Sequence, residues 1–335
     1  MKKLGMIITF IVVALLAVGC GKKIEDTASK ASNEPYKLRY QGETGGVTPA
    51  ELAEDLGYFK KVTLDYQGTY TGGPESIQFV ATNQLDYGMS FNGAILKSIA
   101  KGVKIQSVIT SYGSNEDAFL GFFAKKGSGI KSAQDLVGKK VAVNIRGAHY
   151  EVALREYLHQ QGISKDQIEQ VEFVTMPQIN AEQAVINGQV DVAALNGLFR
   201  EKAIERKQTK LVFKDLDAFK QAYNAGSYFF KTDFIEKHPE EVKDFTQGVA
   251  RALEWTKTTD RKEVIQRFEK IMKERKRDEP LDNLQYFRGS GVETKGGKFT
   301  DEDFKRWIEP LQRVGDLQNE QVDTSTMCTN EFNPF

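Results

Sequence analysis

The sequence predicts an α/β body of two lobes with a helical C-terminal part, and three observations lead there. Strand-like and helix-like patterns alternate from Tyr36 onward. The alternation restarts near Asp135. From Phe234 the apolar spacing becomes helical and stays so. Repeated strand–helix units imply a mostly parallel sheet with helices on both faces.

The elements follow in order. Tyr36–Gln41 alternates as a strand does, Gly42–Thr48 is a loop, and Pro49–Tyr58 is helical. Val62–Gln67 is a second strand. Thr71-Gly72-Gly73 then opens a helix over Pro74–Asn83, with Ile77, Val80 and Ala81 on one face. Proline at a first helical position has its φ preset and loses no needed donor. Tyr87–Ser90 is a short strand and Asn92–Ala100 a helix. Ile105–Tyr112 and Phe119–Ala124 are apolar strands.

The second round begins at Asp135–Lys140, which leads into the strand Val141–Val143 and the loop Asn144–Ala148. From His149 to Gln161, Tyr150, Leu154, Tyr157 and Leu158 share a helical face. Val171–Thr175 is a strand, Ala181–Ile186 a helix and Val190–Leu195 a strand. Gln84-Leu85-Asp86-Tyr87 is echoed by Gln189-Val190-Asp191-Val192, the trace two similar lobes would leave. Farther on, Val242, Phe245, Val249, Ala252 and Leu253 form one apolar stripe. Phe304, Trp307, Ile308 and Leu311 form another. Lys273–Glu279 reads as a solvated helix end and Gly289–Lys298 as a glycine-rich loop. The expected division is residues 36–121 for the first lobe, 122–225 for the second, and 226–335 for a return to the first lobe with C-terminal helices.

Residues 1–19 have the layout of a secretory signal: a basic start at Lys2-Lys3, an apolar run from Leu4 to Val18, and small residues at the end. The run is shorter than the roughly 20 residues of a membrane-spanning helix. Cys20 after Ala17-Val18-Gly19 resembles the lipobox of bacterial lipoproteins, which implies lipidation at Cys20 and an extracytoplasmic body anchored to the membrane by lipid. Residues 20–35 then form a polar tether that buries too little to order itself.

Composition narrows the function. Lysine plus arginine number 46 and aspartate plus glutamate 46, so nothing favours nucleic acid as a partner. The chain has two cysteines, and with Cys20 lipidated Cys328 has no partner. His149, His159 and His238 are scattered rather than at metal spacing. No nucleophile elbow, phosphate loop or dinucleotide fingerprint is present. The expectation is a non-enzyme with no catalytic residues, no metal and no cofactor.

Leu56-Gly57-Tyr58-Phe59, Gly72-Gly73-Pro74-Glu75, Gln84–Gly88, Asp135–Val143 and Gly188–Val192 occur in an order and spacing that resemble the nitrate/sulfonate/taurine group of ABC-importer substrate-binding proteins. That group shares its fold with thiamine-pyrimidine precursor binders and synthases. The resemblance runs from Tyr36 to about His238. It implies a type II periplasmic-binding-protein-like fold, two lobes on a two-strand hinge, ligand in the cleft between them, and ABC permease subunits as partners of a monomer. Hinge candidates are Ala118–Ala124 and Ala225–Phe230.

Ligands of open α/β sheets sit beyond the carboxyl ends of strands, where helix N-termini favour anions. Four loops qualify. Thr71, Gly72 and Gly73 precede a helix and let a ligand approach the backbone. Ser90 and Asn92 lie where the family has a small polar triad. Arg146, Gly147 and His149 lie where it has an anion loop, and Arg146 suits a bidentate clamp on a sulfonate or carboxylate. Asn196 ends a strand. Tyr112 and Tyr228, with Tyr70, Phe91 and Phe199, suit stacking on a ring. The family's Trp-acid-Pro triplet is replaced by Asn196-Gly197-Leu198, and the serines of its anion loop are missing. The leading expectation is a receptor for a sulfonate- or taurine-like anion. The alternatives are the same role for a vitamin-precursor ring, a thiamine-pyrimidine-synthase-like enzyme, or an exported sensory lipoprotein.

Overall fold

A computed structural model describes residues 34–277, 279–318 and 322–335. The expected signal, Cys20 and nearly all of the tether lie outside the described residues. No described helix is long and apolar enough to cross a membrane.

One lobe is built from β1 (Tyr36–Gly42), α1 (Pro49–Asp55), β2 (Val62–Thr69), α2 (Gly73–Ala81), β3 (Tyr87–Phe91), α3 (Asn92–Ala100) and β4 (Ile105–Ser114). The other contains β5 (Gly121–Lys125), β6 (Lys140–Val143), α4 (His149–Gln160), α5 (Lys165–Glu169), β7 (Glu172–Thr175), α6 (Gln178–Ile186), β8 (Val192–Leu195), α7 (Gly197–Arg206), β9 (Thr209–Lys214) and α8 (Asp215–Phe219). The chain then returns as β10 (Tyr223–Lys231). It continues through α9 (Thr232–Lys237), α10 (Pro239–Thr258), α11 (Arg261–Glu274), α12 (Glu302–Lys305) and α13 (Ile308–Arg313).

The expected mostly parallel sheet needs correction. β1 pairs in parallel with β2, but β10 lies antiparallel between β3 and β4. The other sheet runs β7-β6-β8-β5-β9, parallel among β7, β6 and β8 and antiparallel where β5 meets β8 and β9. The reversed strands, β5 and β10, are those that enter a sheet from the opposite lobe, and arrival from that side forces the opposite direction. The crossings are residues 115–120 and 220–222. The first overlaps a hinge candidate. Ala225–Phe230 does not act as a crossing: it lies inside β10, buried and paired on both edges. A strand so placed needs the apolar run it has.

The four-residue echo has a structural basis. Asp86 accepts a hydrogen bond from the Arg39 N–H at 2.8 Å and returns its own N–H to the Arg39 carbonyl at 3.0 Å. Asp191 does the same with Lys140, at 2.8 and 2.9 Å. In each lobe the aspartate pins the strand after a helix to the first strand of its unit.

Local chemistry explains the element ends. Thr48 and Glu51 form a reciprocal capping box at the start of α1, with Pro49 in the first turn. One core stacks Phe213 between Phe122 (4.2 Å) and Tyr157 (3.7 Å). Another gathers Tyr87, Tyr228 and Phe230 around Phe245 of α10. The C-terminal part braces the first of these lobes: Trp307 meets Phe91 edge-on at 4.5 Å, and Ser107 exchanges backbone hydrogen bonds with Met327 and Thr329. Cys328 sits beside Ser107, and burial pushes its thiol up to about 12, so it is a protonated packing group.

Candidate ligand-binding cleft

A cleft of 1260 Å³ opens between the lobes. The loops that follow β1, β2, β6, β7 and β8 converge on it, together with the end of β4 and residues 280–290 from the C-terminal part. This is the carboxyl-end position expected of a ligand site on open sheets. α2, α4, α6 and α7 begin at the cleft, and no side chain caps their first turns. Their free N–H groups are therefore available to a ligand.

Of the residues singled out in the sequence, Thr71, Gly73, Tyr112, His149 and Asn196 line the cleft, as do Tyr70, Phe91 and Phe199. The Thr71 hydroxyl is already spent on the Glu75 carboxylate. Gly72 lies at the edge, where an added Cβ would stand 2.0 Å from Ile145 of the other lobe. Gly147 is a loop turn with φ +66°, and Lys97 bonds its carbonyl at 2.8 Å.

Four residues are not placed where the sequence suggested. Arg146 is not among the residues that line the cleft: its Nε bonds Glu151 at 2.7 Å and its guanidinium lies over Phe173. Glu151, in the first turn of α4, is within reach of Arg146 along the same loop, so the pair closes locally. Ser90 is fully buried beneath Gly73, and an alanine Cβ at Gly73 would stand 2.0 Å from its hydroxyl. Asn92 is structural, donating to the Asp303 carbonyl at 3.2 Å and accepting from Ser227 at 2.9 Å. Tyr228 packs in the core against Tyr87 and Phe245.

His149 is a wall group held by a chain of bonds. Its ring stacks on Phe91 at 5.1 Å and meets Trp307 edge-on. Its Nε2 lies 2.8 Å from the Tyr223 hydroxyl, which donates to Asp215 Oδ2 at 2.8 Å. Because the tyrosine proton goes to Asp215, neutral His149 donates from Nε2. Burial pushes His149 down to about 3 and Asp215 up to about 6. Asp215 also accepts from Ser114 and from the N–H groups of Leu120 and Leu216, which offsets part of that burial.

Several cleft residues carry no motif in the sequence. Glu43 follows β1, and burial and then the nearby Glu51 charge push its carboxyl up to about 7. Ser111, Asn144, Tyr150, Gln178 and Glu182 also line the space, as does Arg200, whose side chain is fully buried. The strand-end rule points to the loops holding Glu43 and Asn144. Residues 280–290 have no periodic pattern to announce them. They span the cleft and tie to α7 through Lys202–Asn283 (2.6 Å) and Arg288–Glu201 (2.7 Å).

Two lobes with a cleft at the strand ends define the periplasmic-binding-protein fold. The E. coli periplasmic aliphatic sulphonate binding protein superposes with a TM-score of 0.66 at 18% identity, over 88% of this chain and 97% of that one. The chain belongs to the NMT1/THI5-like family, whose sequence profile matches residues 45–261. A Bacillus subtilis protein named for aliphatic sulfonates binding is 25% identical over 267 residues, 77% of this chain and 75% of its own. A Saccharomyces cerevisiae 4-amino-5-hydroxymethyl-2-methylpyrimidine phosphate synthase is 22% identical over 220 residues, 62% of each chain.

Proposed function

We propose that this chain is the extracytoplasmic solute receptor of an ABC importer, anchored through lipid on Cys20, which binds a small anionic organic solute between its lobes and presents it to a permease. The observation that carries the reading is the cleft itself, a largely aromatic and aliphatic space onto which four uncapped helix starts open. Acidic first-turn residues occupy two of those starts, Glu75 on α2 and Glu151 on α4; α6 and α7 have none. The anionic group is therefore placed at α7, near Asn196 and the N–H groups of Gly197 and Leu198, and at α6. A helix terminus contributes about 0.3–1 kcal/mol, whereas micromolar binding needs about 8 kcal/mol. The rest comes from burial of the organic part against Tyr70, Phe91, Tyr112 and Phe199, and closure follows because ligand binds the closed form better.

The aromatic wall favours a second reading of the ligand, a ring-bearing vitamin-precursor-like compound in the same receptor role. A binding role is preferred to catalysis because His149, the histidine of the cleft, has its Nε2 committed to Tyr223 and a face covered by Phe91. The test is calorimetry on the purified protein against taurine, alkanesulfonates, nitrate and pyrimidine ring compounds. Saturable binding of a sulfonate, with compaction in small-angle scattering, is the expected result. Binding confined to ring compounds selects the second reading. Turnover of a bound compound would refute the receptor role.

A further inference from the structure

We propose that residues 280–290 form a strap that latches the two lobes together before any solute arrives, gripping α7 through Asn283, Tyr286 and Arg288. The latch requires the two-lobed fold and no particular solute.

The strap is rooted in the lobe that holds α1 and β4. Leu284 is 4% exposed and packs with Leu52 of α1 and Phe268 of α11. Phe287 meets Phe268 edge-on at 4.9 Å, and its carbonyl accepts from Arg261 at 2.9 Å. Farther on, the Ser290 carbonyl accepts the Gly113 N–H at 2.9 Å. Gly291 passes so near that an added Cβ would stand 2.4 Å from the Gly113 carbonyl oxygen. Middle and end are thus both fixed to the same lobe.

Its side chains hold the other lobe. Asn283 accepts from Lys202 of α7 at 2.6 Å, and Arg288 donates to Glu201 Oε2 at 2.7 Å. The Tyr286 hydroxyl donates to Glu205, and its ring lies 5.6 Å from the Lys202 ammonium. Glu201 and Glu205 are one turn apart on the same side of α7. One partner of each bond stays with each lobe, so the bonds break when the lobes part. All of them join protein groups to protein groups, so none waits on a solute.

Glu201 ties the strap to the hinge. Its Oε1 accepts from Arg200 at 2.6 Å while its Oε2 holds Arg288. Arg200 is 1% exposed and also donates to the carbonyls of Asp117 and Phe119, in the first crossing, at 2.6 and 3.0 Å. The second turn of α7 is therefore held by the crossing on one side and by the strap on the other. Lys97 also bridges the lobes, bonding the Gly147 carbonyl at 2.8 Å, and Arg313 pairs with Glu156 of α4. Gly147 lies two residues before His149, which bonds Tyr223 directly after the second crossing, so the Lys97 bridge has a short lever arm. A latched empty form lowers apparent affinity, because solute binds only the fraction of molecules whose cleft is open.

Small-angle scattering on the purified protein without added solute tests this. Wild type should match the curve calculated from the structure. Combining Asn283→Ala, Tyr286→Phe and Arg288→Ala should raise the radius of gyration by about 0.5 Å or more, on the roughly 19 Å expected of a compact body of this size. Lys202→Ala with Glu205→Ala cuts two of the same contacts from the α7 side and should expand the protein likewise. Lys97→Ala should leave the curve unchanged. An expanded wild type, or no change in either combined variant, overturns the latch. Expansion in the strap variant alone also overturns it, since that marks a strap that has unfolded rather than let go. The receptor role stands or falls separately, on solute calorimetry.

Discussion

Tyr223→Phe should destabilise the protein by about 3 kcal/mol, because it removes one hydroxyl and leaves two buried groups without it. The tyrosine accepts from His149 Nε2 and donates to Asp215 Oδ2, both at 2.8 Å. His149 is 7% exposed and Asp215 fully buried, so water does not readily replace the lost partner. Each orphaned buried group costs about 1–3 kcal/mol, more where charged. The two groups together span about 2–6 kcal/mol, and Asp215 keeps its three bonds to Oδ1, from Ser114, Leu120 and Leu216, which places the sum in the lower half of that span. The three residues come from α4, α8 and β10, so the loss falls where the chain returns between lobes. Urea unfolding at pH 7 reads the effect as a lower midpoint with an unchanged slope. A loss below about 0.5 kcal/mol would refute the bonding scheme, since a hydroxyl deletion on a satisfied or solvated network costs that little.

Other expectations can be checked alongside. Arg146→Ala should leave ligand affinity within about threefold and cost about 1 kcal/mol of stability in urea unfolding, since its partner is Glu151 and its side chain is 55% exposed. Gly226→Ala should lower stability by about 2 kcal/mol or more and displace the Tyr112 wall, because its Cβ would meet that ring at 2.1 Å and the Ser90 carbonyl at 2.8 Å; thermal unfolding and ligand calorimetry read the two effects. The pH dependence has two opposing parts. His149 has a folded value near 3 against 6.5 when unfolded, so the unfolded state binds the extra proton and stability falls as pH drops below 6.5. Asp215 is raised to about 6 from 3.8, so its contribution is fully present below 3.8 and is lost as pH rises through 6. The acid loss should therefore begin near pH 6.5, flatten between about 6 and 4, and resume below; in His149→Gln the Asp215 part stands alone, so denaturant titrations should show stability rising from pH 6.5 to pH 4.

Local and short-range patterns determined much of this protein from its sequence. The strand and helix order, the start of α3 at Asn92, and the strand-end loops that carry Thr71, Gly73, His149 and Asn196 rest on interactions between near neighbours or on side-chain periodicity; the echo at Asp86 and Asp191 is legible as a repeat, although the bonds behind it reach Arg39 and Lys140, 47 and 51 residues away. The resemblance carried the two-lobe cleft in the same way, through short segments in order. Tertiary structure decided the rest. The direction of β5 and β10 depends on which lobe the chain arrives from, and no periodicity records that. Whether a polar side chain is available to a ligand depends on what else is within 3 Å of it. Arg146 found Glu151 five residues away, and Asn92 found Asp303 and Ser227 across the fold. Glu43 and Glu182, which belong to no motif, kept acceptor oxygens that no described side chain satisfies. Sequence patterning sets which groups reach the cleft; the long-range pairing of charges and hydrogen bonds sets which of them remain free once they arrive.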